Sequence, residues 1–161
     1  ARATRAGTCI SAGMSRKRFL SWAHDMKGYN VVWVYNPARD RVLMCLRHKA
    51  PYKGLFNLVG GKIEPGESSP DAAYRELREE TGIDRDDIDL LRLMDFVYHQ
   101  EDACRVEVWA GTLKRDIIPL GDENELHWLA LDENFFDMGR FAGEGNIGHI
   151  YEIIKINRLR I

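Results

Sequence analysis

Cysteine is scarce in this sequence, and its spacing argues against a disulfide scaffold or a zinc site. The three cysteines are Cys9, Cys45 and Cys104, and no pair has the two-residue spacing of zinc and redox motifs. Cys45 and Cys104 fall in or beside apolar, strand-like segments. We therefore expect free thiols, buried or partly exposed, in a reducing compartment.

Long apolar runs and an excess of one charge are also missing. No segment approaches the ~18 apolar residues of a membrane span, and none resembles the apolar part of a secretory signal. The net charge of −2 gives no broad basic surface for a nucleic-acid backbone. We therefore expect a cytoplasmic protein that binds neither a membrane nor a nucleic-acid polymer.

Histidine chemistry is not indicated either. The histidines have no close ligand-pair spacing, and none lies near a serine or cysteine nucleophile pattern. The composition, with 45% hydrophobic and 30% charged residues over 161 positions, is typical of one globular domain with a proper core. We interpret all five histidines as polar strand or surface residues: His24, His48, His99, His127 and His149.

The first 25 residues differ from the rest of the chain in charge and periodicity. Residues 1–24 include basic residues but no acidic one. Three origins stay open: an organelle transit peptide, sequence added for expression, or an extra segment that packs on the domain. We assign residues 1–25 to an N-terminal extension and residues 26–161 to a single domain.

The remaining chain alternates between strand-like and helix-like patterns. Segments 90–99 and 106–113 form a predicted hairpin around Glu101 and Asp102, and an amphipathic helix is predicted over Ile147–Arg158. Together with a helix before residue 82, this order suits an α/β fold with a mixed sheet between helices. Strands are predicted at 31–35, 41–46, 56–59, 90–99, 106–113 and 125–131.

The most informative stretch is GGKIEPGESSPDAAYRELREETGI, residues 60–83. Ser69 and Pro70 predict the start of a helix, with serine as its cap. The helix should end near Thr81, because Gly82 suits the left-handed residue that follows a last turn.

Three acidic residues of this predicted helix share one face. Glu76, Glu79 and Glu80 fall within an arc of ~100°. Carboxylates held so close together repel one another unless cations bind between them. Mg²⁺ is the cation that fits best beside phosphates, since it is a hard ion that takes oxygen ligands. The sequence therefore predicts a Mg²⁺ site, in which Mn²⁺ can substitute.

The same stretch resembles the signature of the Nudix hydrolases at every specified position. The signature is Gly, five residues, Glu, seven residues, Arg-Glu-hydrophobic, one residue, Glu-Glu, one residue, Gly-hydrophobic. Here it reads Gly61, Glu67, Arg75-Glu76-Leu77, Glu79-Glu80 and Gly82-Ile83. The alternative interpretation is a solvated acidic helix whose arginines pair with neighbouring acids. The resemblance implies an α/β/α sandwich with a mixed central sheet and Mg²⁺-dependent hydrolysis of a nucleoside diphosphate-linked substrate.

The resemblance also implies roles for the acidic residues. Glu79 and Glu80 are expected to be the principal metal ligands, assisted by the Gly60 carbonyl. Glu76 is either the catalytic base or an additional ligand. A further carboxylate from outside the motif is expected, and Glu125 fits that position better than Glu123.

Other positions of the motif are expected to support this site. Arg75 braces the loop by pairing with Glu67, Gly61 and Gly66 serve the shape of the backbone, and Gly82 completes the structural part of the motif. Lys62 is either a phosphate contact or an exposed loop residue. The basic residues 47–49 are either a cationic rim for a polyphosphate or a solvated strand end.

The segment before the motif bears on the substrate. Asn57 begins the Asn-x-x-Gly-Gly-Lys arrangement of MutT-like 8-oxo-purine nucleoside triphosphatases, whose mammalian-type members read the oxidised base with this residue. The alternative is that Asn57 satisfies a local backbone turn. Phe141, Glu144 and Asn146 stand where such enzymes keep an aromatic residue and polar base-readers.

Three functions follow as hypotheses. The first is hydrolysis of an oxidised purine nucleoside triphosphate to the monophosphate and pyrophosphate. The second is hydrolysis of ADP-ribose, a dinucleoside polyphosphate or a nucleotide sugar. The third is a Nudix-fold sensor without catalysis, which is disfavoured because every acid of the motif is retained. The partner in each case is a small nucleotide, and the sequence allows a homodimer.

Overall fold

The computed structural model describes residues 26–99, 103–121 and 123–156. The predicted N-terminal extension lies outside these residues, as do the tip of the predicted hairpin and residues 157–161. The elements in chain order are β1 (Lys27–Tyr35), β2 (Arg41–Leu46), β3 (Phe56–Asn57), α1 (Ser69–Thr81), β4 (Leu91–Tyr98), β5 (Cys104–Thr112), β6 (Glu125–Ala130) and α2 (Asn146–Ile156).

The six strands form one mixed sheet. Its order is β3-β2-β1-β5-β4, and β6 pairs with the other side of β2. β1 runs parallel to β5, with Val31 opposite Val108, whereas the other pairs are antiparallel. The parallel pair lies at the centre of the sheet. Two strands that are distant in sequence therefore form the middle of the sheet.

The side chains of β1 alternate between two apolar layers, which divides the core. Val32 and Val34 pack in a cluster with Ala73 and Leu77 of α1. Trp33 and Tyr35 belong instead to the cluster that contains Ile147, Ile150 and Ile154 of α2. One helix therefore covers each face of the sheet, and the predicted α/β/α sandwich is confirmed.

The ends of α1 show how the motif sets the helix. The helix ends at Thr81, as predicted, and Gly82 follows with φ +74° while its N–H donates to the Arg78 carbonyl at 2.8 Å. The predicted cap is wrong by one residue. Ser68 is the N-cap and accepts from the Asp71 N–H at 3.3 Å, whereas Ser69 donates to buried Glu107 of β5.

The remaining elements differ from the predictions mainly at their ends. β3 is two residues long, because the chain turns away after Asn57 and Val59 pairs across to Val32 of β1. α2 begins at Asn146, one residue before the predicted start. Cys45 is buried in β2, and burial raises the pKa of its thiol to about 12.

Gly82 gives a test of the helix end. Gly82→Ala should lower the free energy of unfolding by about 1–2 kcal/mol, because alanine disfavours the left-handed conformation. No atom lies within 4 Å of an added Cβ, so backbone strain alone is tested. Gly82→Asn is the matched control and should retain most of the stability, since asparagine tolerates this conformation. Urea unfolding measures both, and equal losses would contradict the conformational explanation.

Candidate active site

The loop that carries the two glycines of the motif is held against β1 as an additional strand-like segment. The Val32 N–H donates to the Val59 carbonyl at 2.8 Å, and the Asn30 N–H donates to the Gly61 carbonyl at 2.8 Å. Further along, the Ile63 N–H donates to the Gly28 carbonyl at 2.9 Å. These bonds fix the position of the glycines on the sheet beside α1.

Both glycines are required by close approach. A Cβ on Gly60, whose φ is +142°, would lie 2.3 Å from the Asn30 carbonyl oxygen. A Cβ on Gly61 would lie 2.5 Å from Oε2 of Glu76. Because real Cβ atoms do not approach so closely, any side chain at Gly60 or Gly61 would displace the loop or the carboxylate.

The three acids of α1 lie at different depths. The side chain of Glu79 is 60% exposed, while that of Glu76 is 15% exposed. Glu80 points to the loop, and its Oε2 accepts from the Gly60 N–H at 3.0 Å. Burial, assisted by the charge of Glu76, raises the pKa of Glu80 to about 7, and the Gly60 N–H opposes this rise.

Arg75 is the cation at the centre of these acids. Its Nε donates to Glu67 Oε1 at 2.8 Å and its Nη2 to the Lys62 carbonyl at 2.9 Å. Its Nη1 also donates to Glu76 at 2.8 Å and to Glu79 at 3.0 Å. The hydrogen bonds to Glu67 raise the pKa of Arg75 and lower that of Glu67. Arg75 thus ties the loop to α1, and it also binds Glu76 and Glu79.

The acidic side chains do not form a preassembled metal-coordination site among the described residues. Within the described ranges 26–99, 103–121 and 123–156, no three His, Cys, Asp or Glu side chains are placed to hold a metal ion together. The bonds from Arg75 account for this, because they hold Glu76 and Glu79. The donor chemistry still fits a hard cation. Three carboxylates lie on one helix face beside a glycine loop, and the partly buried Glu80 carries a raised pKa.

A cleft of about 450 Å³ begins at the same loop. Its lining includes Gly60, Gly61, Asn57 and Asn146. Asn146 donates to the Tyr98 hydroxyl, which also lines the cleft. The aromatic part of the lining is Tyr29, Tyr52, Phe96 and Tyr98.

A second, wider groove of about 820 Å³ lies along the outside of α1. It is lined by charged side chains of both signs, among them Arg78, Arg85 and Asp86, and it does not include the glycine loop. The cleft at Gly60 is therefore the better candidate for substrate.

Some residues predicted for substrate binding lie at this cleft, and others do not. Asn57 lines it, and its Oδ1 accepts from the Leu58 N–H at 2.9 Å, so the predicted local backbone bond is present and the reading of a base by Asn57 stays a prediction. Glu144 is exposed beside the cleft and accepts from the Tyr52 hydroxyl at 2.9 Å. Lys62 pairs with Glu64 at 3.4 Å on the surface.

Phe141 requires a correction. It is 2% exposed and packs against Phe135, with 5.2 Å between the ring centroids. Its backbone is held beside β3, because the Ala142 N–H donates to the Phe56 carbonyl at 2.9 Å. Phe141 is therefore a core residue and offers no face on which a base could stack.

The placement of Glu125 also disagrees with the predicted ligand set. Along β6, Leu126 and Trp128 pack on the α1 side of the sheet. Glu125 shares the opposite face with His127, whose Nε2 is 3.5 Å from Glu125 Oε2. The charge of Glu123, by contrast, contributes to the raised pKa of Glu80. Glu123 is therefore an alternative candidate for the outside carboxylate.

Arg47 belongs to the basic residues 47–49, which were predicted as either a cationic rim or a solvated strand end, whereas the tyrosines of the cleft were not singled out from the sequence. Arg47 lines the cleft, and its charge counteracts the rise in the pKa of Glu80, whereas neighbouring Lys49 pairs with Glu123 at 2.9 Å. The tyrosines of the cleft come from three separate segments. Their convergence depends on strand pairing over long sequence distances, for which single residues give no signal.

Comparison with known proteins identifies the family. Residues 26–146 match the NUDIX domain family, and the chain belongs to the Nudix hydrolases. It is 27% identical over 106 residues to the oxidized purine nucleoside triphosphate hydrolase of Mus musculus, covering 65% of this chain and 67% of that protein. It is 43% identical over 44 residues to an ADP-ribose pyrophosphatase of Methanocaldococcus jannaschii, covering 27% of this chain and 26% of that protein.

The fold has matches of lower identity. The E. coli dihydroneopterin triphosphate pyrophosphohydrolase superposes with a TM-score of 0.65 at 21% identity, over 82% of this chain and 98% of that one. The names of these relatives span different substrates, and the chain spans only about a quarter of the M. jannaschii protein's length. No described helix is long and apolar enough to cross a membrane.

The burial of Glu80 gives a prediction for the metal-free protein. A carboxyl pKa raised to about 7 means that ionisation above its ordinary pKa favours unfolding, and this cost is fully present above pH 7. Glu80→Gln keeps the shape and removes the charge. In chelator at pH 8 it should be about 1–2 kcal/mol more stable than the parent, and the difference should shrink towards pH 4.

Exposed Glu79 supplies the control for this experiment. Glu79→Gln should change the free energy of unfolding at pH 8 by less than about 0.5 kcal/mol. Urea titrations at both pH values provide the measurement. A Glu80→Gln protein less stable than the parent at pH 8 would show that the ionised carboxylate stabilises the fold.

Proposed function

We propose that this protein hydrolyses a phosphoanhydride bond in a nucleoside diphosphate-linked substrate with the help of Mg²⁺. The observation that best supports this proposal is that Asn57, Tyr98 and the Gly60-Gly61 loop line the same cleft. The loop in turn contacts Glu80 and Glu76 of α1. A nucleoside in the cleft would therefore extend its phosphates towards the acids.

Glu79, Glu80 and the Gly60 carbonyl would hold the metal. When bound, Mg²⁺ supplies positive charge to the phosphate oxygens and orients water for attack. Binding would draw Glu79 away from Arg75, which keeps its bonds to Glu67 and the Lys62 carbonyl and so continues to brace the loop. The cation would also remove the cost of an ionised Glu80 in a buried site.

Glu76 is the proposed proton acceptor, with an additional ligand role as the alternative. Its side chain is 15% exposed, and it lies against Gly61 at the border of the cleft. A carboxylate held at that place is suited to accept a proton from water beside the phosphates. Arg47, which lines the same cleft, is the proposed phosphate contact, since a guanidinium matches phosphate oxygens.

We infer that the substrate is an oxidised purine nucleoside triphosphate, which is cleaved to the monophosphate and pyrophosphate. Asn57 and Asn146 at the cleft support this proposal, because a carboxamide offers a donor and an acceptor to a base edge. The similarity to a relative named for oxidized purine nucleoside triphosphates, over two thirds of that protein, is in agreement. The match to an ADP-ribose pyrophosphatase makes ADP-ribose the second candidate.

A panel of 8-oxo-dGTP, dGTP and ADP-ribose tests the proposed substrate. Asn57→Ala should lower kcat/KM for 8-oxo-dGTP by an amount equivalent to about 1–3 kcal/mol and leave ADP-ribose hydrolysis nearly unchanged. Asn146→Ala should have the same effect more weakly. Activity should require Mg²⁺ or Mn²⁺, and the product of 8-oxo-dGTP should be pyrophosphate.

The controls distinguish the alternatives. Equal losses on all substrates would show that Asn57 shapes the neighbouring loop. A parent that prefers ADP-ribose and releases AMP would establish the second candidate, and full activity in excess chelator would refute the metal assignment. Tight nucleotide binding without turnover would identify a sensor.

A further inference from the structure

Asn30 of β1 is a buried polar residue with no visible partner. It is 1% exposed, and neither Oδ1 nor Nδ2 has a hydrogen-bond partner among the described residues. An unpaired carboxamide inside a protein costs about 1–3 kcal/mol, so such groups are normally satisfied by protein or by buried water. The neighbours of Asn30 therefore decide what it binds.

Strand geometry places the Asn30 side chain between two carboxylates. Side chains alternate along a strand, so Asn30 lies on the same face of β1 as Val32 and Val34, which is the face covered by α1. Its partner in the register with β5 is Glu107, which faces the same side because it accepts from Ser69 of α1. On the other edge, its N–H donates to the Gly61 carbonyl at 2.8 Å.

The second carboxylate is that of Glu76. Residues opposite each other in an antiparallel pair have Cβ positions about 4.5–5.5 Å apart on one face. Gly61 is opposite Asn30, and a Cβ built on Gly61 would lie only 2.5 Å from the Glu76 carboxyl carbon. The Asn30 carboxamide thus projects beside the place that the Glu76 carboxylate fills, and since neither of its polar atoms has a direct partner among the described residues, a hydrogen bond between the two groups would need a bridging water.

The two carboxylates differ in how far they are already satisfied. Glu107 Oε1 pairs with Arg105 at 2.6 Å, and its Oε2 accepts from Ser69 and lies 3.3 Å from Arg92. Glu76 Oε1 accepts from Arg75 at 2.8 Å, which leaves Oε2 open to a second donor. The open donor of Asn30 is therefore matched to Glu76.

We propose that Asn30 is a positioning residue for Glu76 and that it acts through one buried water molecule. Nδ2 would donate to this water, which would donate to Glu76 Oε2 and hold the carboxylate over Gly61. Without this bond only Arg75 would orient Glu76, and Arg75 pulls towards Glu67 and the exposed side of α1. The catalytic consequence rests on the role proposed above for Glu76.

A matched pair of variants isolates the hydrogen bond. Asn30→Val and Asn30→Thr have nearly the same shape and suit a strand, but only threonine retains a donor and an acceptor. Asn30→Val should fold with unchanged or higher stability and lower kcat about tenfold, while KM changes less than about twofold. Asn30→Thr should keep kcat within roughly threefold of the parent.

A double-mutant comparison shows whether the effect passes through Glu76. In a Glu76→Gln background, Asn30→Val should cause little additional loss, because the residue it positions is already altered. Equal losses for the valine and threonine variants would overturn the proposal. So would a tenfold loss that is undiminished in the Glu76→Gln background.

A spectroscopic measurement tests the contact even if no substrate is turned over. The Nδ2 signals of Asn30 in a ¹H–¹⁵N spectrum are assigned by their loss in Asn30→Thr. They should move in Glu76→Gln and stay in place in Glu79→Gln, since Glu79 is on the exposed side. Asn30 signals that do not shift in Glu76→Gln would refute the contact. Asn30 signals that shift in a protein without hydrolase activity would support the contact and refute only the proposed function.

Discussion

The partial burial of the Glu80 carboxylate is the constraint on which the site depends. A carboxylate with a pKa near 7 and a single backbone donor, the Gly60 N–H, is costly for a metal-free fold at neutral pH. The fold tolerates it because the neighbouring glycine loop is held firmly on β1. A divalent cation would turn this cost into binding energy, which is the physical reason for interpreting the acidic helix as a metal site.

The other parts of the site serve the same geometry. Gly60 and Gly61 are glycines because Asn30 and Glu76 leave no room for a Cβ, and Arg75 joins the loop to α1 through Glu67. β1, which pairs with β5, holds this loop beside it through backbone hydrogen bonds. As a result, the cleft and the acids meet at one edge of the sheet, although their residues come from distant parts of the chain.

Sequence was sufficient where the pattern was local. The helix end at Gly82 and the apolar strands depend on neighbours a few residues apart, whereas the pairing of Arg75 with Glu67 was implied by the resemblance to the Nudix signature. It was insufficient where tertiary contacts decide the outcome. Phe141 is a core residue because β3 pairs beside it, and Glu125 faces away from α1 because of the register of β6. Asn30 carried no signal, since only the fold brings it to Gly61.

Manganese binding followed by electron paramagnetic resonance tests the central claim most directly, because it needs no substrate. The parent should bind Mn²⁺, and Glu80→Gln and Glu79→Gln should each weaken that binding about tenfold or more, the scale of losing one charged ligand. Glu125→Gln, on the opposite face of the sheet, should bind as the parent does. Unchanged Mn²⁺ affinity in Glu80→Gln would contradict the account, because the buried carboxylate would then have no cation to balance it.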